Sequence, residues 1–157
     1  MEEEINFYSN NAEYGWLSNF ARYPQIVDGK TYKTNEHYYQ SQKTIDAEVS
    51  NWIASAPSPF LAMRAGRSLR IGKEFRMDWE KIKVEVMLRG LRAKFQQHPE
   101  LAQKLLATRD AILHENSPTD MFWGKKGKDL LGKLLMQVRE ELRLSQTFPT
   151  NTASGNK

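Results

Sequence analysis

The segment Thr34-Asn35-Glu36-His37-Tyr38-Tyr39-Gln40-Ser41-Gln42-Lys43 is long enough for a helix, yet it holds no Leu, Ile or Val. A structural helix of a globular protein turns a stripe of such residues toward the core. This one offers instead an acid, an imidazole, phenols, amides and an amine. A chain that contains it must either leave a polar helix in water or fold around an interior that receives polar groups. The two adjacent tyrosines speak against open exposure and for a ligand-facing surface. Thr34 or Asn35 can cap the helix through a side-chain oxygen, and the helix is expected to run to about Ile45.

Glu36, Gln40, Lys43 and Ala47 follow one another at helical offsets and share a face. Glu36 and Lys43 stand two turns apart, about 10 Å along the axis. That is far for a direct ion pair but suited to flanking a sugar-sized ligand. The competing reading is a solvated face on which both charges are idle.

The remaining pattern predicts a mainly helical fold with a small β element near the N-terminus. Ile5-Asn6-Phe7-Tyr8-Ser9 alternates like a strand. Ile26-Val27, an Asp28-Gly29 turn and Lys30-Thr31-Tyr32 read as a hairpin. Short helices are expected from Val49 to Ser55 and after Ser58-Pro59, where Ser caps and Pro occupies the first turn. Asp78 should cap the longest helix, from about Trp79 to Gln97, with Ile82, Val86, Leu88 or Arg89, and Phe95 in its stripe and Val84, Met87 and Leu91 widening it. A helix follows Pro99. Residues 109–128 have no sustained period and read as loop. A last helix, from about Asp129 to Arg143, buries Leu131, Leu134, Leu135, Val138 and Leu142. With 157 residues, one domain over 1–145 is expected, followed by a disordered polar tail at 146–157.

Composition narrows the setting. There is no cysteine, which excludes disulfides and Cys-ligated zinc. His37, His98 and His114 lie in separate segments without zinc-type spacing, so neither metal nor cofactor is expected. The acidic start Met1-Glu2-Glu3-Glu4 is unlike a signal peptide, and no apolar run is long enough to span a bilayer. The expected location is the cytoplasm, with no membrane partner. A net charge of +4 and a pI of about 9.3 suit an anionic ligand. They are too mild to make charge-driven nucleic-acid binding a leading reading.

Two further stretches could carry chemistry. Residues 115–124, Glu115-Asn116-Ser117-Pro118-Thr119-Asp120-Met121-Phe122-Trp123-Gly124, put two carboxylates and a Trp in an irregular segment, where functional groups concentrate. Lys125, Lys126 and Lys128 beside Gly124 and Gly127 could cradle a phosphate at the start of the last helix, or simply form a basic surface loop. Arg64, Arg67, Arg70, Lys73 and Arg76 recur every third residue. They fit a solvated flank better than a phosphate site, although one member could reach a substrate.

Taken in order, Asn6-Phe7-Tyr8-Ser9, Ser18-Asn19-Phe20, Asp28-Gly29-Lys30-Thr31, Thr34-Asn35-Glu36-His37-Tyr38, Gln42-Lys43, Asp78-Trp79, Ala93-Lys94-Phe95, Leu106-Ala107-Thr108, Asp120, Trp123-Gly124 and Leu131-Gly132-Lys133-Leu134-Leu135-Met136 resemble the NADAR family, the YbiA-like proteins. The resemblance runs from about Ile5 to Arg143. It implies a mainly helical fold and an N-glycosidase that cleaves the bond between a base-like nitrogen and C1′ of a ribose. The implied partners are phosphorylated ribosylamino-pyrimidine intermediates of riboflavin synthesis, or ADP-ribosylated guanine in nucleic acid.

The resemblance further implies that Lys43 attacks C1′ and forms a Schiff base with the opened ribose. A free lysine has a pKa of about 10.4, so burial or neighbouring cations must lower it. A carboxylate must then move protons. Glu36, Glu115 and Asp120 are the candidates, with Glu36 and Asp120 preferred. If Lys43 stays charged, two carboxylates could run a glycosidase scheme instead. Tyr39, Trp79 and Trp123 are candidates to stack on the base, and Asn19 to hydrogen-bond the sugar or base. Glu115, Gly124 and Asp129 complete the expected binding set. The chain departs from the family between Gly124 and Lys128, where the link is shorter and more basic, and at Asp129, where relatives tend to carry Asn. The alternative is a module that binds ADP-ribose or a nucleotide without turnover.

Overall fold

A computed structural model describes residues 3–9 and 13–147. Six helices and four short strands appear in the order β1 (Glu4–Phe7), β2 (Gln25–Val27), β3 (Lys30–Tyr32), α1 (Asn35–Ser41), α2 (Ala47–Ala54), α3 (Pro59–Arg67), α4 (Trp79–Gln97), α5 (Pro99–Ala107), β4 (Ile112–Glu115) and α6 (Leu130–Thr147). The architecture is the mainly helical one expected.

The polar helix lies at the centre. All seven residues of α1 are buried. Thr34 caps it, its Oγ1 accepting from the amide of His37. The tertiary structure gives most of the polar side chains partners, as a buried polar group requires, although Gln25 Oε1 and Gln40 Oε1 find none among the described residues. Gln25 donates to Asn35 Oδ1 at 2.9 Å, Asn35 donates to Asn19 Oδ1 at 2.8 Å, and the His37 ring lies between Thr34 Oγ1 and the Ala56 carbonyl. The solvated-face reading is thereby overturned.

The helix ends at Ser41, not near Ile45. The Gln42 and Lys43 carbonyls are taken by Arg76, through its guanidinium and its amide respectively, which satisfies acceptors a helix terminus leaves open. Asp46 then starts α2 earlier than Val49, its carboxylate accepting from the amides of Glu48 and Val49. Lys43 therefore sits on the turn after α1 rather than on its last helical turn.

The Asp28-Gly29 turn has φ of 54° and 79°, the pair of positive values a two-residue hairpin of the primed type needs. Ser58 caps α3 ahead of Pro59. Asp78 occupies the cap position of α4 but makes no capping bond; its carboxylate pairs with Arg76 instead. The buried face of α4 is Trp79, Met87, Leu88, Leu91, Lys94 and Phe95, while Ile82, Val84 and Val86 are only partly covered. It packs with Leu131, Leu134, Leu135 and Val138 of α6 and with Leu101 and Leu105 of α5 into the main core.

One strand falls in the region read as loop. β4 pairs in parallel with β1, Phe7 opposite Glu115. Four residues with a partner more than a hundred positions away leave no local period to detect. Helix α6 continues to Thr147, past the expected end at Arg143, so residues 146 and 147 are helix rather than tail. The rest of the expected tail, 148–157, lies outside the described residues. No helix among the described residues is long and apolar enough to cross a membrane.

Candidate active site

The inward side of α1 opens onto a cavity of about 430 Å³. Glu36, Tyr39 and Gln40 enter it from α1, Lys43 from the turn beyond, Arg67 from α3, and Trp79, Lys83 and Met87 from α4. Ser18 and Asn19 close one side, and the segment after β4 brings Glu115, Asp120, Phe122 and Trp123. Residues more than a hundred positions apart in the chain thus converge on one half-open cavity.

Eight of the expected site residues line it: Asn19, Glu36, Tyr39, Lys43, Trp79, Glu115, Asp120 and Trp123. Gly124 and Asp129 do not. Gly124 has a loop-shaping place: a Cβ there would stand 2.5 Å from the Asp120 carbonyl oxygen. Asp129, in the left-handed region at φ 58°, turns its Oδ2 to His114 Nδ1 at 2.6 Å behind β4. The expected phosphate cradle does not form. Lys125 reaches Asn6 and Glu4, Lys126 the Pro118 carbonyl, and Lys128 lies over the Phe122 ring. Of the arginine series only Arg67 borders the cavity.

Lys83 and Met87 had a signal in the sequence that went unread. Trp79, Lys83 and Met87 recur every fourth residue on α4, so whatever Trp79 faces, the others face too. Lys83 places its ammonium 3.8 Å from the Phe122 ring centroid and pairs with Glu80.

Electrostatics favour uncharged forms of the central pair. Burial raises the pKa of Glu36, opposed by its bond from Gln40 and by the charges of Lys43 and Arg67. Burial lowers that of Lys43, helped by Arg67 and Lys83 and opposed by Glu36. Each group remains shifted toward its neutral form despite its partner's opposing pull, so desolvation outweighs their attraction. Both shifts run in the direction that a nucleophilic amine and a proton-giving acid would need. Lys43 Nζ lies 5.7 Å from the Tyr39 ring centroid and 5.9 Å from that of Trp79. Tyr39 meets Trp79 and Trp123 edge-on at 5.1 and 5.8 Å, and its hydroxyl accepts from the Trp123 indole. This aromatic wall offers flat surface for a base or sugar face.

Gln40 holds Glu36, donating to Oε2 at 2.7 Å. It fits only because position 66 of the adjacent α3 is glycine, where a Cβ would fall 2.0 Å from Gln40 Oε1. Gly66→Ala is therefore expected to displace Gln40 and lower kcat/KM about 10-fold, a loss on the scale of one hydrogen bond to an ionisable group. In a Gln40→Ala background the same change should add much less, because Oε1 and Cδ are gone and only the Cβ at position 40, 3.0 Å away, remains close. Additive losses in that double-mutant cycle would refute the linkage.

Comparisons with known proteins give the family and the class of activity. The NADAR domain family model matches residues 6–143. N-glycosidase YbiA of Escherichia coli (strain K12) is 47% identical over 146 residues, which cover 90% of each chain. The NMR structure of the E. coli protein YbiA superposes with a TM-score of 0.84 at 46% identity, over 94% of this chain and 90% of that one. A riboflavin biosynthesis protein of Vibrio vulnificus (strain YJ016), VVA0006, is 40% identical over 147 residues, 91% of this chain and 40% of that longer protein. The chain belongs to the NADAR family, and with relatives of this identity named N-glycosidases across nine-tenths of both lengths it is an N-glycoside hydrolase.

Proposed function

We propose that the α1 cavity hydrolyses the C1′–N bond of a phosphorylated ribosyl substrate, with Lys43 as nucleophile and Glu36 and Asp120 as proton carriers. The observation that carries this reading is the enclosure of Lys43 and Glu36 in one cavity, each driven by burial toward its neutral form.

In the proposed sequence the Lys43 amine bonds to C1′ as the C1′–N bond breaks. The bonding pair leaves with the nitrogen, which gains a proton. Loss of a proton from the new secondary ammonium lets its lone pair expel the ring oxygen. That oxygen is protonated in turn, and a Schiff base to the opened ribose results. Water adds to C1′, the amine departs, and the free sugar phosphate closes again. Net, one water is consumed for each base released. Asp120 is fixed for its part, since its Oδ1 accepts from the amides of Phe122 and Trp123. Arg67 and Lys83, both bordering the cavity, supply the positive charge that a substrate phosphate needs.

The name of the Vibrio relative supports a ribosylamino-pyrimidine phosphate, and the aromatic wall is equally suited to a guanine bearing ADP-ribose. The test is to incubate the enzyme with each and follow release of free base and sugar phosphate. Turnover of one is expected; no release from either would end this reading for both substrate classes. Tight ADP-ribose binding without turnover, indifferent to Lys43, would indicate a binding module instead.

A further inference from the structure

We propose that Glu115 is the acid that protonates the departing nitrogen, which leaves to Glu36 and Asp120 the proton transfers at the secondary ammonium and the ring oxygen. The inference rests on the N-glycosidase reading above and assigns a role within it.

Three carboxyl groups border the cavity, and their surroundings differ. Glu36 accepts from Gln40. Asp120 accepts from two backbone amides. Glu115 is different: its Oε1 is closed off from solvent and has no hydrogen-bond partner among the described residues. A carboxylate left so would bear a desolvation cost with nothing to offset it. A carboxylic acid bears far less and has a proton to give. The groups that act on Glu115 are Asp120 in the following loop, Glu36 on α1 and Asp129 at the start of α6. The cations Lys43, Arg67 and Lys83 border the same cavity from the other helices. Burial first, then the three acids, push the Glu115 pKa up to about 7.

Position agrees with the role. Glu115 is the last residue of β4, held in register against Phe7 of β1. Its carbonyl accepts from the Lys125 amide at 2.7 Å. Both neighbours fix the backbone, so the side chain projects into the cavity from a rigid strand end rather than a loop, which suits a group that must meet one substrate atom.

In the step itself, the electron pair of the C1′–N bond passes to the nitrogen. The Glu115 hydroxyl proton joins that nitrogen, and Glu115 becomes a carboxylate. It then takes a proton from the water that adds to C1′ of the Schiff base, which restores the acid. The alkaline limb of kcat against pH should accordingly report loss of the Glu115 proton near pH 7.

Glu115→Gln keeps the volume and polarity but cannot donate that proton. Expected are a fall in kcat of about 10²- to 10³-fold, a KM changed less than threefold, and residual activity that no longer declines through pH 7. A variant that keeps the alkaline limb, or loses only KM or thermal stability, overturns the proposal. Should the variant not fold, carbon NMR of the wild-type Glu115 side chain decides: a titration midpoint near 7 is expected, and a carboxyl already ionised at pH 5.5 refutes the role. Failure of the Lys43 step would show separately, as a wild type that yields no borohydride-trapped sugar adduct while its alkaline limb still answers to Glu115.

Discussion

Lys43→Met is expected to lower kcat by a factor on the order of 10⁴ to 10⁶, the range seen when a covalent nucleophile is removed. The sugar adduct trapped by borohydride should vanish with it. Stability should hold, because a methionine thioether can keep the contacts that the lysine makes with the Tyr39 and Trp79 rings. Lys43→Arg should not restore activity, since a guanidinium stays protonated and cannot attack. The environment explains why an amine can serve here at all. Burial, Arg67 and Lys83 act together to lower the lysine pKa, against the pull of Glu36 and Glu80. Activity should therefore rise along the acidic limb at a lower pH than an ordinary lysine would allow. Arg67→Ala should move that limb upward. A Lys43→Met enzyme of full activity would transfer the chemistry to the carboxylates, which can stabilise an oxocarbenium-like transition state without covalent help from nitrogen.

The polar helix was legible in the sequence because its departure from the ordinary apolar stripe is local. Thr34 as cap, the lack of aliphatic residues and the paired tyrosines all lie within a few turns. Its end was not legible. Arg76, more than thirty residues on, takes the Gln42 and Lys43 carbonyls and draws Lys43 off the helical path. The same distinction applies to β4, whose existence depends on pairing with β1. Eight residues that line the cavity could be named from residue type and family pattern, whereas Asp129, also expected to bind substrate, lies outside that lining. Its tie to His114 is a tertiary contact with no trace in spacing. Glu115 was recognised as a candidate acid, but the property that separates it from Glu36 and Asp120, an unpartnered buried oxygen, exists only once the chain is folded.

Lys94 illustrates the same limit and carries the largest expected stability effect. It is 1% exposed, although its type is among the least often buried. Its Nζ donates to the Trp16 carbonyl at 2.7 Å and to that of Ser18 at 2.9 Å, and it lies near the Phe95 and Tyr23 rings. It thereby ties α4 to the turn that delivers Ser18 and Asn19 to the cavity. Lys94→Ala should cost about 3–5 kcal/mol, combining a large-to-small cavity with two lost carbonyl bonds, although the Ser18 carbonyl keeps the Ala21 amide. At about 2–4 °C per kcal/mol for a chain of this size, Tm should drop by roughly 6–20 °C. Burial also pulls the Lys94 pKa down to about 7, from 10.5. Between those values the unfolded chain holds a proton that the folded chain has released, so rising pH favours folding, by up to about 1.4 kcal/mol per unit. Below about 7 both states are protonated and above 10.5 both are neutral, so the slope is confined to that window. Lys94→Met, which keeps most of the volume, isolates this contribution: between pH 7 and 10 the wild type should gain stability relative to the variant in chemical denaturation. Parallel curves would mean that the two carbonyls and the aromatic faces hold the ammonium charged in the folded protein, and that Lys94 fixes the Trp16–Ser18 turn as a buried cation rather than as a neutral amine.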